Sequence, residues 1–67
     1  MITLRVNGIE RRYSVPLTLV DLLAELDLVG KRIAIERNGE IVPRSLHGET
    51  RLGDGDHLEI VVAVGGG

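Results

Sequence analysis

The chain has no cysteine, no tryptophan and no phenylalanine, and Tyr13 is its only aromatic residue. Without cysteine no disulfide staples the fold. Without aromatics there is no platform for stacked bases, and a net charge of −2 leaves no basic stripe for phosphates, so both counts argue against nucleic-acid binding. No apolar run approaches the roughly 18 residues of a membrane span. The opening "MITLRVNG" has no charged start followed by an apolar stretch and a cleavage site, so it is not a signal peptide. The expected location is cytoplasmic, with no membrane partner.

Catalytic groups are equally sparse. Lys31 is the only lysine, and no glycine-rich phosphate loop accompanies it. His47 and His57 lie among loop residues without a cysteine or acid at metal-ligand spacing, and read as ordinary surface histidines. No nucleophile–base pair stands out. The chain is therefore not expected to be an enzyme with its own active site, nor to hold a metal or cofactor.

What is present is aliphatic. The 67 residues allow one domain. A chain so short buries only about 60% of the surface its unfolded form exposes, so its core must be built from packed Leu, Ile and Val. Ile2, Leu4 and Val6 alternate with Thr3 and Arg5, the period of a half-buried strand. Asn7-Gly8 then signals a tight hairpin, because both turn positions need positive φ. Tyr13 and Val15 fall on one face of the return strand, which Pro16 closes.

"LTLVDLLAELDLVGK" reads as a helix. Thr18 is the expected N-cap, Asp21 favours the exposed first-turn amides, and Leu17 and Leu22 stand at hydrophobic-staple positions. Leu19, Leu22, Leu23 and Leu26 form one stripe at i, i+3, i+4 and i+7. Gly30 is the expected C′ residue, with Lys31 and Arg32 complementing the negative helix end. "RIAIERNGEIVPRS" reads as a second strand–turn–strand around Asn38-Gly39, its return cut short at an edge by Pro43. "SLHGET" is loop or a short helical turn pinned by Leu46. After the turn at Gly53–Asp56, Leu58, Ile60 and Val62 fall on one face of a last strand, with Glu59, Val61 and Ala63 on the other. The order is β-β-α-β-β-β, an α+β arrangement in which one helix covers one face of a mixed sheet of four or five strands.

That order, ending in "VVAVGGG", resembles the β-grasp (ubiquitin-like) fold. "NGIERRYSVPLTLVDLLAEL", "AIERNGEIVPRS" and "LGDGDHLEIVVAVGGG" together resemble the sulfur carrier proteins of thiamin biosynthesis. The likeness runs over the whole chain. It is carried most specifically by "NGEIVPR", the "DGD" turn and the terminal Gly-Gly. At Val62 and Ala63 the chain has small aliphatics where many relatives carry an aromatic or histidine. Residues 1–64 are then the domain and 65–67 a flexible tail.

A terminal glycine run is either an inert end or one whose lack of side chains matters. The resemblance implies the second. A carboxylate is ionised at neutral pH and is a poor electrophile. The resemblance implies that a ubiquitin-activating-type enzyme adenylates Gly67 with ATP. A persulfide supplied by a cysteine desulfurase relay then leaves a thiocarboxylate, whose sulfur a thiazole synthase uses. Without Cβ, Gly65 and Gly66 can thread a narrow channel, and the lack of cysteine leaves the carboxyl end as the place for sulfur. Val61, Ala63, Val64 and Glu59 are the candidate docking surface beside that tail, although single exposed apolar residues are ordinary. Asp54, Asp56 and Glu59 are read as an acidic rim toward a basic partner surface, or simply as a solvated turn. The alternatives are the sulfur-carrying small subunit of molybdopterin synthase, a ubiquitin-like protein modifier, and a plain interaction domain with an inert tail.

Overall fold

The computed structural model describes residues 1–14 and 17–63. Val15, Pro16 and the run from Val64 to Gly67 lie outside the described residues, as do the expectations that rest on them. Five strands, β1 (Ile2–Val6), β2 (Ile9–Tyr13), β3 (Ile33–Arg37), β4 (Glu40–Val42) and β5 (His57–Val62), form one sheet in the order β2-β1-β5-β3-β4. Helix α1 (Leu19–Glu25) follows β2, and a 3-10 turn at Arg44–Leu46 follows β4. The first and last strands lie parallel at the centre, and every other pairing is antiparallel. This is the β-grasp arrangement.

Both Asn-Gly turns form as the sequence predicts. Asn7 and Gly8 have φ of 50° and 81°, and Asn38 and Gly39 have 52° and 88°, the doubly positive geometry that joins two-residue hairpins. The register pairs Val6 with Ile9 and Ile2 with Tyr13. The return strand β2 therefore shares its inward face with β1, and Tyr13 is half-buried against the core.

Helix α1 begins where its cap dictates. Thr18 Oγ1 accepts the Asp21 backbone N–H at 3.2 Å, and Asp21 Oδ2 accepts the Thr18 N–H at 3.0 Å, a reciprocal capping box. Leu19, Leu22 and Leu23 are buried, and Leu17 packs with Leu22 in the same core. The helix stops earlier than expected. Leu26 is the C-cap, and Asp27, not Gly30, takes the left-handed position with φ of 58°. Gly30 (φ 84°) belongs to a second turn. Lys31 and Arg32 therefore lie beyond the helix, whose last turn carries no basic residue.

The core joins Ile2, Leu4 and Val6 of β1, the helix leucines, Ile35 of β3, Leu52, and Leu58 and Ile60 of β5. Two polar side chains are buried with it, against expectation. His47, read as a surface residue, is 5% exposed, and its Nε2 donates to the Val42 carbonyl at 3.1 Å. It pins the loop after β4, the role assigned to Leu46, which is 43% exposed. His57 is exposed as read. Asp56, read as part of an acidic rim, is 9% exposed. Its Oδ2 accepts from Arg37 Nη2 and Nε, each at 2.9 Å, and from the Gly53 N–H at 2.8 Å, while Oδ1 accepts from Asn38 Nδ2 at 3.0 Å. Burial pushes this carboxyl up, but the hydrogen bonds from Gly53, Asn38 and Arg37 and the Arg37 charge outweigh it and hold the pKa below its ordinary value.

Candidate functional site

The candidate site is the end of β5, the strand that carries the chain toward the glycines. Its alternation follows the sequence reading. Leu58 (1% exposed) and Ile60 (7%) face the helix with half-buried Val62, while Glu59 and Val61 (63% exposed) face outward. Ala63 is exposed too, and its N–H donates to the Arg32 carbonyl at 2.8 Å. The backbone is thus anchored to its neighbour up to Ala63. Val64, the fourth candidate docking residue, and Gly65, Gly66 and Gly67 lie beyond the described residues.

Asparagines from the two hairpin turns hold β5 at its start and partway along it. Asn7 Oδ1 accepts the Ile60 N–H at 2.7 Å and its Nδ2 donates to the Ile60 carbonyl at 3.0 Å. Asn38 Oδ1 accepts the His57 N–H at 2.9 Å. The parallel register of β1 on β5 covers Arg5↔His57 and Val6↔Leu58, and the Asn7 side chain extends that ladder to the next rung. The Asn-Gly dipeptides announced the turns. That the Asn7 side chain braces a strand 53 residues later has no signature in sequence, because the β1–β5 contact is set by topology.

The helix-free face of the sheet carries the candidate docking residues. Val61 pairs with exposed Ala34 of β3, making an apolar rung, and Glu59 pairs with exposed Glu36. Ile41 on edge strand β4, 66% exposed, is the partner of Glu36 on its other side. Two carboxylates directly opposite one another destabilise a sheet unless a cation faces them. The acidic rim therefore has different members from those expected. Glu59 joins Glu36, whereas Asp56 is buried and Asp54 accepts the Thr3 N–H at 2.7 Å near the start of β5, away from the glycines. Among the described residues, no three His, Cys, Asp or Glu side chains gather to hold a metal ion, and no helix is long and apolar enough to cross a membrane.

Similarity to known proteins agrees with this fold. A model of the ThiS family matches residues 4–67. The chain is 46% identical over 50 residues to the sulfur carrier protein ThiS of Bacillus subtilis, covering 75% of this chain and 76% of that one. It is 47% identical over 62 residues to a thiazole synthase of Paramagnetospirillum magneticum, covering 92% of this chain but only 19% of the synthase. The crystal structure of the thiamine biosynthesis protein ThiS from Geobacter metallireducens superposes with a TM-score of 0.83 at 30% identity, covering 98% of this chain and all of that one. The chain belongs to the ThiS family, the β-grasp sulfur carriers of thiamin biosynthesis.

Proposed function

We propose that the protein is a co-substrate that carries sulfur as a thiocarboxylate on Gly67 and delivers it for thiazole formation. The Gly67 carboxylate attacks the α-phosphorus of ATP in a ubiquitin-activating-type adenylyltransferase, and pyrophosphate leaves. The terminal sulfur of a persulfide, charged by a cysteine desulfurase, attacks the acyl carbon and AMP leaves. Cleavage of the remaining S–S bond by a thiol frees the thiocarboxylate. Glycine suits each step, since no Cβ crowds the carbonyl.

The observation that carries this reading is the anchoring of β5 up to Ala63, two residues past the exposed apolar rung at Val61. A strand held by Asn7 and by Arg32 presents Val64 and the glycines from a fixed base, and fixed presentation lowers the ordering cost of binding. Val61, Ala63 and Val64 form the apolar part of the docking surface. Glu59 and Glu36 set a partner cation beside it. A stretch like this chain makes up part of a protein named thiazole synthase, which supports such a synthase as the acceptor. Every group in this scheme acts in the cytoplasm, with residues 65–67 as the tail that enters partner active sites.

The test is ATP–pyrophosphate exchange by the adenylating enzyme of the same genome. The full chain should support exchange. A chain lacking Gly66 and Gly67 should not, while melting within about 2 °C of the parent, because the last residues of a domain seldom contribute much to stability. Exchange that survives the deletion would remove Gly67 as the reacting residue.

A further inference from the structure

A second apolar surface lies on the helix side of β5, opposite the docking face already described. Val6 and Ile9 from the first hairpin, Leu26 and Leu28 from the end of α1, and Val62 of β5 line an open groove, with Arg11 at its border. Ile9 is 59% exposed, and Leu26, Leu28 and Val62 are only partly buried. Arg11 is exposed and has no carboxylate within ion-pair distance among the described residues, where the ion pairs are Arg12–Glu10 and Arg37–Asp56.

The groove's distance from the reacting end is what gives it a partner. This step rests on the proposal that Gly67 is the residue adenylated. Four residues separate Gly67 from Ala63, and four residues span at most about 14 Å when fully extended. An enzyme that encloses the Gly67 carboxyl beside a nucleotide must therefore come within about 14 Å of Ala63. Val62, one residue back, lines the groove, which places the groove beside the mouth of that channel. A stable interface also covers about 800 Å² on each partner. Val61 and Ile41 with Ala34 and Ala63 on the other face supply only part of that.

We propose that this groove is the second half of the docking surface, and that the rim of the partner's channel seats an apolar side chain in it with a carboxylate against Arg11. The domain is then gripped on both faces of its last strand, with opposite charge on the two sides: a partner cation at Glu36 and Glu59, a partner anion at Arg11. Such a two-sided grip fixes the direction in which the tail enters the channel.

Titration calorimetry against the purified adenylating enzyme of the same genome tests this. Arg11→Glu and Ile9→Asn should each raise Kd about tenfold, with melting temperatures close to the parent's. Arg51→Glu, at the opposite end of the domain, should change Kd less than about twofold. Methyl NMR of the unmutated chain gives a second reading, in which Val6, Ile9, Leu26 and Leu28 should shift on saturation with the enzyme. Unshifted groove methyls in the saturated complex, with variants that bind like the parent, would overturn the groove proposal and leave the carrier reading intact. Groove methyls that shift in the free protein when residues 64–67 are deleted would assign the groove to the chain's own end and overturn it too. A parent chain that neither binds nor supports pyrophosphate exchange would remove the carrier reading, and the groove with it.

Discussion

The carboxamide of Asn7 is hydrogen-bonded twice to the backbone of Ile60, accepting its N–H at 2.7 Å and donating to its carbonyl at 3.0 Å. One side chain in the first turn thereby sets the position of the strand that leads to the glycines. Asn7→Gly keeps the positive φ and removes only these bonds, and should cost about 1–2 kcal/mol in urea unfolding. Asn7→Ala should cost more, because its Cβ is strained at φ of 50°. In both variants the Ile60 amide should exchange faster than in the parent, whereas amides of β3 far from Asn7 should be little changed.

Asp56 should make the fold acid-sensitive. Its folded pKa lies below the ordinary value of 3.8. Folding therefore favours the ionised form, and that contribution is complete above the unfolded value and drains away as pH falls through the lower folded one. Denaturant titrations from pH 7 to pH 2 should show a steeper loss of stability for the parent than for Asp56→Asn. Removing the carboxylate altogether, as in Asp56→Ala, should cost about 2–3 kcal/mol at pH 7, since Arg37, Asn38 and the Gly53 N–H all lose a partner. Equal acid profiles for parent and Asp56→Asn would show that other carboxylates set the acid limit.

The two faces of β5 predict opposite outcomes for the same substitution. Leu58→Asp places a charge at a position 1% exposed and should unfold the domain. Val61→Asp, at a position 63% exposed, should leave the melt nearly unchanged and weaken binding to the adenylating enzyme or the thiazole synthase. A Val61→Asp variant that unfolds like Leu58→Asp would show that the outer face is structural.

Local signals were the legible part of this fold. The Asn-Gly turns, the Thr18 cap, the helix leucines and the alternation of β5 are each written within a few residues, and each formed where the sequence predicts. Pro43 also ends β4 after three residues at the sheet edge. The misreadings concern groups whose roles depend on distant chain. Asp56 looks like a turn residue until Arg37 and Asn38 of the second hairpin close over it. His47 looks exposed until the loop folds back onto the Val42 carbonyl. Gly30 looks like the helix stop, but Asp27 takes the left-handed position first. The parallel pairing of β1 with β5 leaves no periodic trace in either strand, so the Asn7–Ile60 brace and the groove beside Val62 emerge only from the assembled sheet. For the site, exposure of Val61, Ala63 and Glu59 was readable from alternation alone. The facing Glu36 was not.

Adding one alanine after Gly67 separates the reacting residue from the fold. The domain should melt as the parent does, while pyrophosphate exchange and sulfur loading fall sharply, because a Cβ then stands beside the reacting carbonyl. Undiminished loading of this variant would move the reactive site elsewhere.

The most direct measurement is the intact mass of the chain after incubation with its adenylating enzyme, ATP and a persulfide donor. The account predicts a gain equal to the difference between one sulfur and one oxygen atom, assigned by fragmentation to Gly67. A chain that keeps its mass under conditions supporting pyrophosphate exchange would contradict it. So would a branched adduct joining Gly67 to a lysine of another protein, which would make the chain a modifier and not a carrier.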